Sequence, residues 1–353
     1  MTNGKGLGKM SSVGAREFTF DRRVYHEQLS RLSTPTYRKL NRILKTYQLF
    51  NVAFIAIAAF EIILFISLFA LLNASLILAY VLGAFFLTLF SYLVLRLYIQ
   101  AKKPEQLLDL CEQYLMRCKE LIRYQEGVPE HHIALSSAAS KFAGALSEKE
   151  YTSYSSPFFL KSLTPLLEKF SAWCHWQDYY KMREYLLQVA VDEHIRVVKC
   201  EPTNLEVHAA LANAYVRLSF IYADPYGQEG VDEERWIPKE RTSEEMKEKF
   251  RKTAERAIEE FKILSDYAPN DPWVHLQLAY SYHDLQMPLQ EICEYEIILN
   301  LRPNDHDILF QLGVLYFEQG MNAKGLRIYE ILKQAHYQKS ENLIKFYGSC
   351  ELS

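Results

Sequence analysis

Apolar residues follow two rhythms along this chain. From Leu49 to Leu95 they run almost without interruption, and Glu61 is the one formally charged residue of that block. Residues 49–72 make about 36 Å of helix and residues 76–95 about 30 Å, each enough to cross a hydrocarbon core about 30 Å thick. Asn73, Ala74 and Ser75 between them supply turn chemistry, so the block predicts a tight hairpin of two membrane-spanning helices. Past residue 100 the apolar positions fall three and four apart instead. "PEQLLDLCEQYLMRCKELIRYQ" from Pro104, "EHHIALSSAASKFAGAL" from Glu130 and "PFFLKSLTPLLEKFSAW" from Pro157 each predict an amphipathic helix, the last kinked at Pro165.

Beyond residue 200 the pattern repeats. "APNDPWVHLQLAYSY" from Ala268 and "RPNDHDILFQLGVLY" from Arg302 place Pro269 and Pro303 34 residues apart. "EPTNLEVHAALANAY" from Glu201 puts Pro202 a further 67 residues upstream, one such stride plus a 33-residue insertion. Leu, a small residue and Tyr recur as Leu211, Ala212, Tyr215, then Leu278, Ala279, Tyr282, then Leu312, Gly313, Tyr316. On the second helices the series is Ala257, Phe261, Leu264, Pro269, then Glu291, Tyr295, Ile298, Pro303, then Gly325, Tyr329, Leu332, Tyr337, from which Glu291 and Tyr337 depart. A small residue lets two helices approach, an aromatic fills the gap to the next pair, and proline ends the second helix. Asn204, Asp271 and Asp305 are N-cap candidates, and Thr242 with Glu245 reads as a capping box.

These positions resemble a tetratricopeptide repeat (TPR) over about residues 200–340, with His208, His275 and Leu309 where that family places a Trp. The resemblance implies a right-handed α-solenoid of antiparallel helix pairs, so with the apolar block the expected fold is all-α, a transmembrane helical hairpin followed by that solenoid. The organisation expected is a basic arm at 1–48, the hairpin at 49–99 and a helical domain at 100–200 containing a degenerate pair. Three repeats at 201–339 follow, with an insertion at about 219–250, then a closing helix at 340–353 capped by Ser340. Ala190, His194, Val197 and Pro202 fit the second helix of the degenerate pair, whose first helix would begin near Pro157.

Charge divides the chain. Residues 1–48 carry ten Lys and Arg against three acidic residues, whereas 29 basic and 39 acidic side chains lie from residue 100 onward. The arm suits anionic lipid headgroups, and the acidic body argues against nucleic acid. Arg96, Lys102 and Lys103 follow the second span and the turn is uncharged, so both termini are expected in the cytoplasm, as in a two-pass protein of a bacterial inner membrane. Glu61 falls level with Thr88 on the second span, where a hydrogen bond would join the hairpin; proton relay and oligomer contact are the alternatives. Six scattered cysteines predict reduced thiols. No zinc-site spacing, GxGxxG, GxSxG, P-loop or HExxH appears, so neither metal, cofactor nor catalysis is expected.

Solenoids of the TPR type bind proteins or peptides along first helices. The positions implied here are Asn213 and Arg217, then Trp273, Tyr280 and His283, then Asp307, Phe310 and Phe317. The groove so composed favours an apolar or aromatic segment. The leading expectation is a membrane-anchored scaffold that binds partner proteins. Two alternatives stand beside it. The paired apolar segments are similar in topology to those of chlamydial inclusion-membrane proteins, which implies a secreted effector in a host membrane; a subunit of a transport or insertion complex would use Glu61 directly.

Overall fold

The computed structural model describes residues 22–71, 76–153, 164–225 and 236–348, and every regular element among them is helical. Helix α1 (Arg22–Leu71) and helix α2 (Leu76–Ile122) are rods of 50 and 47 residues. They lie antiparallel, because Tyr47 meets Gln106, Asn51 meets Tyr92 and Glu61 meets Thr88. The turn at Asn73–Ser75 falls outside the described residues. Around the outer half of the pair Val52, Ile55, Phe60, Ile63 and Ile66 of α1 and Phe86, Leu87, Phe90 and Leu97 of α2 are exposed. Both helices are long and apolar enough to cross a membrane.

The inner halves of the rods do something the charge pattern conceals. Residues 22–48, expected as part of a basic arm, are helical, and their Leu29, Leu40 and Leu44 are buried with Leu107, Leu110, Cys111, Tyr114 and Cys118 of α2. Helix α3 (Pro129–Ala145) closes this core with Leu135, Ala138, Ala139 and Phe142, and the Tyr25 hydroxyl donates to the Ala134 carbonyl at 2.9 Å. Basic side chains and buried leucines share one helix on opposite faces, so counting charge alone reads the segment as a free arm. Both rods therefore pass unbroken from an exposed apolar surface into a packed core.

A four-residue helix α4 (Lys149–Thr152) leads to α5 (Thr164–Cys200), one helix of 37 residues. The division into two helices expected between residues 164 and 200 is absent, and the start expected near Pro157, with the residues before Thr164 on which a kink at Pro165 would be judged, falls outside the described residues. The partner of α5 is α3, packed along it, so these two form the pair that precedes the regular ones.

Three regular pairs follow: α6 (Leu205–Tyr222) with α7 (Glu244–Tyr267), α8 (Pro272–Asp284) with α9 (Pro288–Leu301), and α10 (His306–Glu318) with α11 (Asn322–Gln334). Asn204, Asp271 and Asp305 cap α6, α8 and α10 through their side chains. Ser243 rather than Thr242 caps α7, because Lys239–Thr242 form a 3₁₀ turn that moves the helix start one residue on. Inside the hairpins the backbone repeats the stride too. Met287 N–H donates to the Tyr282 carbonyl with Gln286 at φ 54°, and Met321 N–H donates to the Tyr316 carbonyl with Gly320 at φ 69°. The last pair is covered by α12 (Ser340–Leu343), which starts after Lys339 with Ser340 inside it, and whose Leu343 is buried over Gly313. A methyl on Gly313 would stand 2.8 Å from that leucine, which explains the absence of a side chain there.

Candidate partner-binding face

Helix α8 is the richest exposed surface of the array. Its Val274, Leu278 and Tyr282 point inward and are buried, while Trp273 and Tyr280 remain 42% and 51% exposed. The seven-residue spacing sets these rings on one side of the helix, two turns apart. Trp273 is fixed at its base by an edge-on contact with Phe261, 6.2 Å between ring centres. On α6, Arg217 is exposed, and Asn213 is half-buried with its amide donating to the Ala209 carbonyl at 2.8 Å. Asn213 is thus occupied by its own helix and Arg217 is not.

The remaining candidates divide. His283 is exposed but anchored by its Nδ1 to Glu291 Oε2 at 3.2 Å. Burial pushes the Glu291 carboxyl above its usual range, and His283 opposes that rise. Asp307 accepts a 2.6 Å hydrogen bond from the hydroxyl of Tyr337, whose ring also lies 6.2 Å from that of Phe310. Tyr337 stands where proline was expected and folds back over α10, so Phe310 is partly covered while Asp307 stays exposed with one oxygen engaged. Phe317 is 0% exposed and does not reach the face. Its ring lies over Gly325, where an added Cβ would come within 2.5 Å of it.

One repeat position explains both departures. His283 and Phe317 are separated by 34 residues, and so are Glu291 and Gly325. The pair is an exposed histidine tied to a carboxylate in one hairpin and a buried ring on bare backbone in the next. Between the two rods, Thr88 Oγ1 donates to Glu61 Oε1 at 2.8 Å, and Glu61 Oε2 has no hydrogen-bond partner among the described residues.

Among solved structures, MamA of AMB-1 is similar at 14% identity over 61% of this chain and 93% of its own, with a TM-score of 0.31. YrrB, described as a TPR protein with an unusual peptide-binding site, is 14% identical over 64% of this chain and 97% of its own, with a TM-score of 0.32. Human IFIT1, seen as a dimer with PPP-AAAA, is 15% identical over 70% of this chain and 62% of its own, with a TM-score of 0.31. No family model and no curated protein matches the sequence. At these TM-scores the superpositions are loose, and the architecture rests on the 34-residue helix pairs themselves. The fold is of the TPR type.

Two TPR hairpins share a polar fastening that the repeat pattern alone did not single out. His275 Nδ1 lies 2.7 Å from Glu294 Oε2 and its Nε2 lies 2.9 Å from the Pro269 carbonyl. His208 does the same with Glu260 at 2.7 Å and Pro202 at 3.0 Å. A carbonyl requires a donor, so Nε2 carries hydrogen in both rings, and the Nδ1 contact shares a further proton with the carboxylate. For His208 burial opposes the charge, but the Glu260 and Pro202 bonds prevail and raise its pKa. The third TPR pair has Leu309 and Ile328 at the corresponding positions, both buried. His275 to Glu294 and Leu309 to Ile328 are each 19 residues apart, and His208 to Glu260 is that plus the 33-residue insertion. That spacing was the legible signal. The fastening stands where the family places its Trp.

Proposed function

We propose that this chain is a membrane-anchored TPR scaffold. The α1–α2 hairpin crosses a bilayer, and the array holds a partner protein or peptide on the face carrying Arg217, Trp273 and Tyr280. The observation that carries this reading is the pair of rings on α8, left in solvent two turns apart on a short helix whose other faces are packed. An apolar or aromatic segment fits the rings, and a basic flank fits exposed Asp284 and Glu318 at the ends of α8 and α10. The acid excess from residue 100 onward favours such a ligand over nucleic acid.

Membrane attachment is supported by the exposed apolar girdle and by Arg38, Lys39, Arg42 and Lys45, which lie exposed on α1 just before it, at the level of anionic headgroups. On this reading the positive-inside rule puts the body in the cytoplasm, and anchoring raises its effective concentration toward other membrane-bound proteins. Phage-displayed peptides selected on the full chain in nanodiscs test the reading. Enrichment of aromatic, basic-flanked sequences that bind the wild type and lose at least about tenfold on Tyr280→Ala or Glu318→Lys supports it. A selection without consensus, or one blind to both substitutions, overturns it. Release of the expressed chain from membranes by alkaline carbonate would overturn the anchoring.

A further inference from the structure

A cavity of about 180 Å³ lies away from the α8 face, where α4, α5, the end of α6 and the 3₁₀ turn before α7 meet. Trp176, Tyr179 and Tyr180 of α5 and half-exposed Phe220 of α6 supply aromatic walls. Arg183 of α5 and Arg241 of the 3₁₀ turn face the same space. The Nε atoms of both arginines are buried without a hydrogen-bond partner among the described residues. Arg241 makes one long bond, 3.4 Å from Nη2 to the Ala223 carbonyl, and neither guanidinium has an ion-pair partner among the described residues. Burial lowers the pKa of each, and Arg183 lowers that of Arg241 further. Glu148 and Glu150 also line the cavity and make interactions of their own; both partly offset the burial of Arg183 and Glu150 that of Arg241, while among the described residues no ion pair joins them to either arginine.

Two half-buried cations whose Nε atoms are buried, which repel one another and have no direct ion pair among the described residues, are only partly compensated by Glu148 and Glu150 in an empty site. A guanidinium offers a planar fork suited to phosphate oxygens, and two of them match a dianion better than a carboxylate's single charge. The volume is below the roughly 300–1,000 Å³ of drug-sized pockets, so the ligand is small. We propose that this cavity binds a small phosphate monoester, its phosphoryl oxygens held by Arg183 and Arg241 and its apolar or aromatic body held among the rings of α5 and Phe220.

Calorimetric titration of the full chain in an uncharged detergent and a phosphate-free buffer tests this, with phenyl phosphate as probe and inorganic phosphate and benzoate as comparators. Phenyl phosphate should bind at least about tenfold more tightly than either comparator, since each lacks one half of the recognition. Arg183→Met and Arg241→Met should each weaken it at least about tenfold, while Tyr280→Ala leaves it unchanged and so separates this cavity from the α8 face. Without ligand the two methionine variants should melt no lower than the wild type, because a half-buried cation with no direct ion pair among the described residues is replaced by an apolar chain of similar reach. Phenyl phosphate should raise the melting temperature of the wild type alone. Absence of binding, equal binding by the variants, or a melting temperature in both variants depressed as for a lost core contact would overturn the proposal.

Discussion

Replacing His275 with Leu tests whether the polar fastenings act as joined units. The side chains of His275 and Glu294 are 5% and 15% exposed, so neither can turn freely to water. Removing the imidazole costs the hydrogen bond to the Pro269 carbonyl, a net loss of about 0.5–1.5 kcal/mol because Pro269 is exposed and its carbonyl can turn to water. It also strands the Glu294 carboxylate, and removing one partner of a buried pair costs about 3–5 kcal/mol. The buried leucine returns about 1.5–3 kcal/mol. The net expectation for H275L is a destabilisation of about 0.5–5 kcal/mol. The double variant H275L/E294I reproduces the chemistry of Leu309 and Ile328, removes the stranded charge, and should lose only about 0–2 kcal/mol. An array opens pair by pair, so the measurement is hydrogen exchange of the α8 and α9 amides in the full chain, whose protection reports the opening free energy of that pair. A double-mutant cycle in which the single losses simply add, within about 0.5 kcal/mol, would refute the joined unit.

Histidines should shape the pH profile from both sides. His208, with its folded pKa raised, contributes stability that is complete below its ordinary value of about 6.5 and is lost as pH rises through the folded value. His194 is opposite: burial, aided by Arg217, depresses its pKa to about 4, so the unfolded chain takes up the proton first and stability falls between about pH 6.5 and 4. Thermal melts from pH 4 to 9 should therefore flatten on the alkaline side in H208L and on the acid side in H194Q, and unchanged limbs would contradict the assignment. Gly325→Ala should destabilise the α10–α11 pair by about 1–3 kcal/mol despite better helix propensity, because Phe317 must move; calorimetric unfolding with no loss would show that the ring yields freely. Thr88→Val should weaken the hairpin by about 0.6 kcal/mol, the average for such bonds between membrane helices, measured by heating in detergent, whereas Glu61→Gln, which can still accept from Thr88, should lose less.

The repeating stride was legible because packing enforces it: Leu211, Leu278 and Leu312 occupy equivalent buried positions, and three Asn or Asp caps mark the starts of their helices. The candidate face was only half legible. Helical periodicity puts Phe310 and Phe317 seven residues apart on one side, as it does Trp273 and Tyr280, yet Phe317 is drawn inward by the space that Gly325 leaves open. A glycine at the small position of the second helix, set against a large residue on the first, is the sequence signal for that inward turn. The burial of residues 22–48 was harder to read, because Leu29, Leu40 and Leu44 keep helical register within a segment whose charge dominates any count. Arg183 and Arg241 lie 58 positions apart, and nothing local in sequence predicts that they share a cavity.

The two long rods run as continuous helix from the apolar girdle to the body, with Pro104 of α2 at the junction as the one interior proline between the two halves. Each is a single helix from its exposed half to its packed half, and a helix resists bending far more than a linker of the same length does. On the proposed reading, the array stands at a set height and heading above the lipid, like a signpost rather than a tethered float. Only partners arriving within that narrow range of angles can dock, so the geometry of the mast selects among ligands before any side chain touches them.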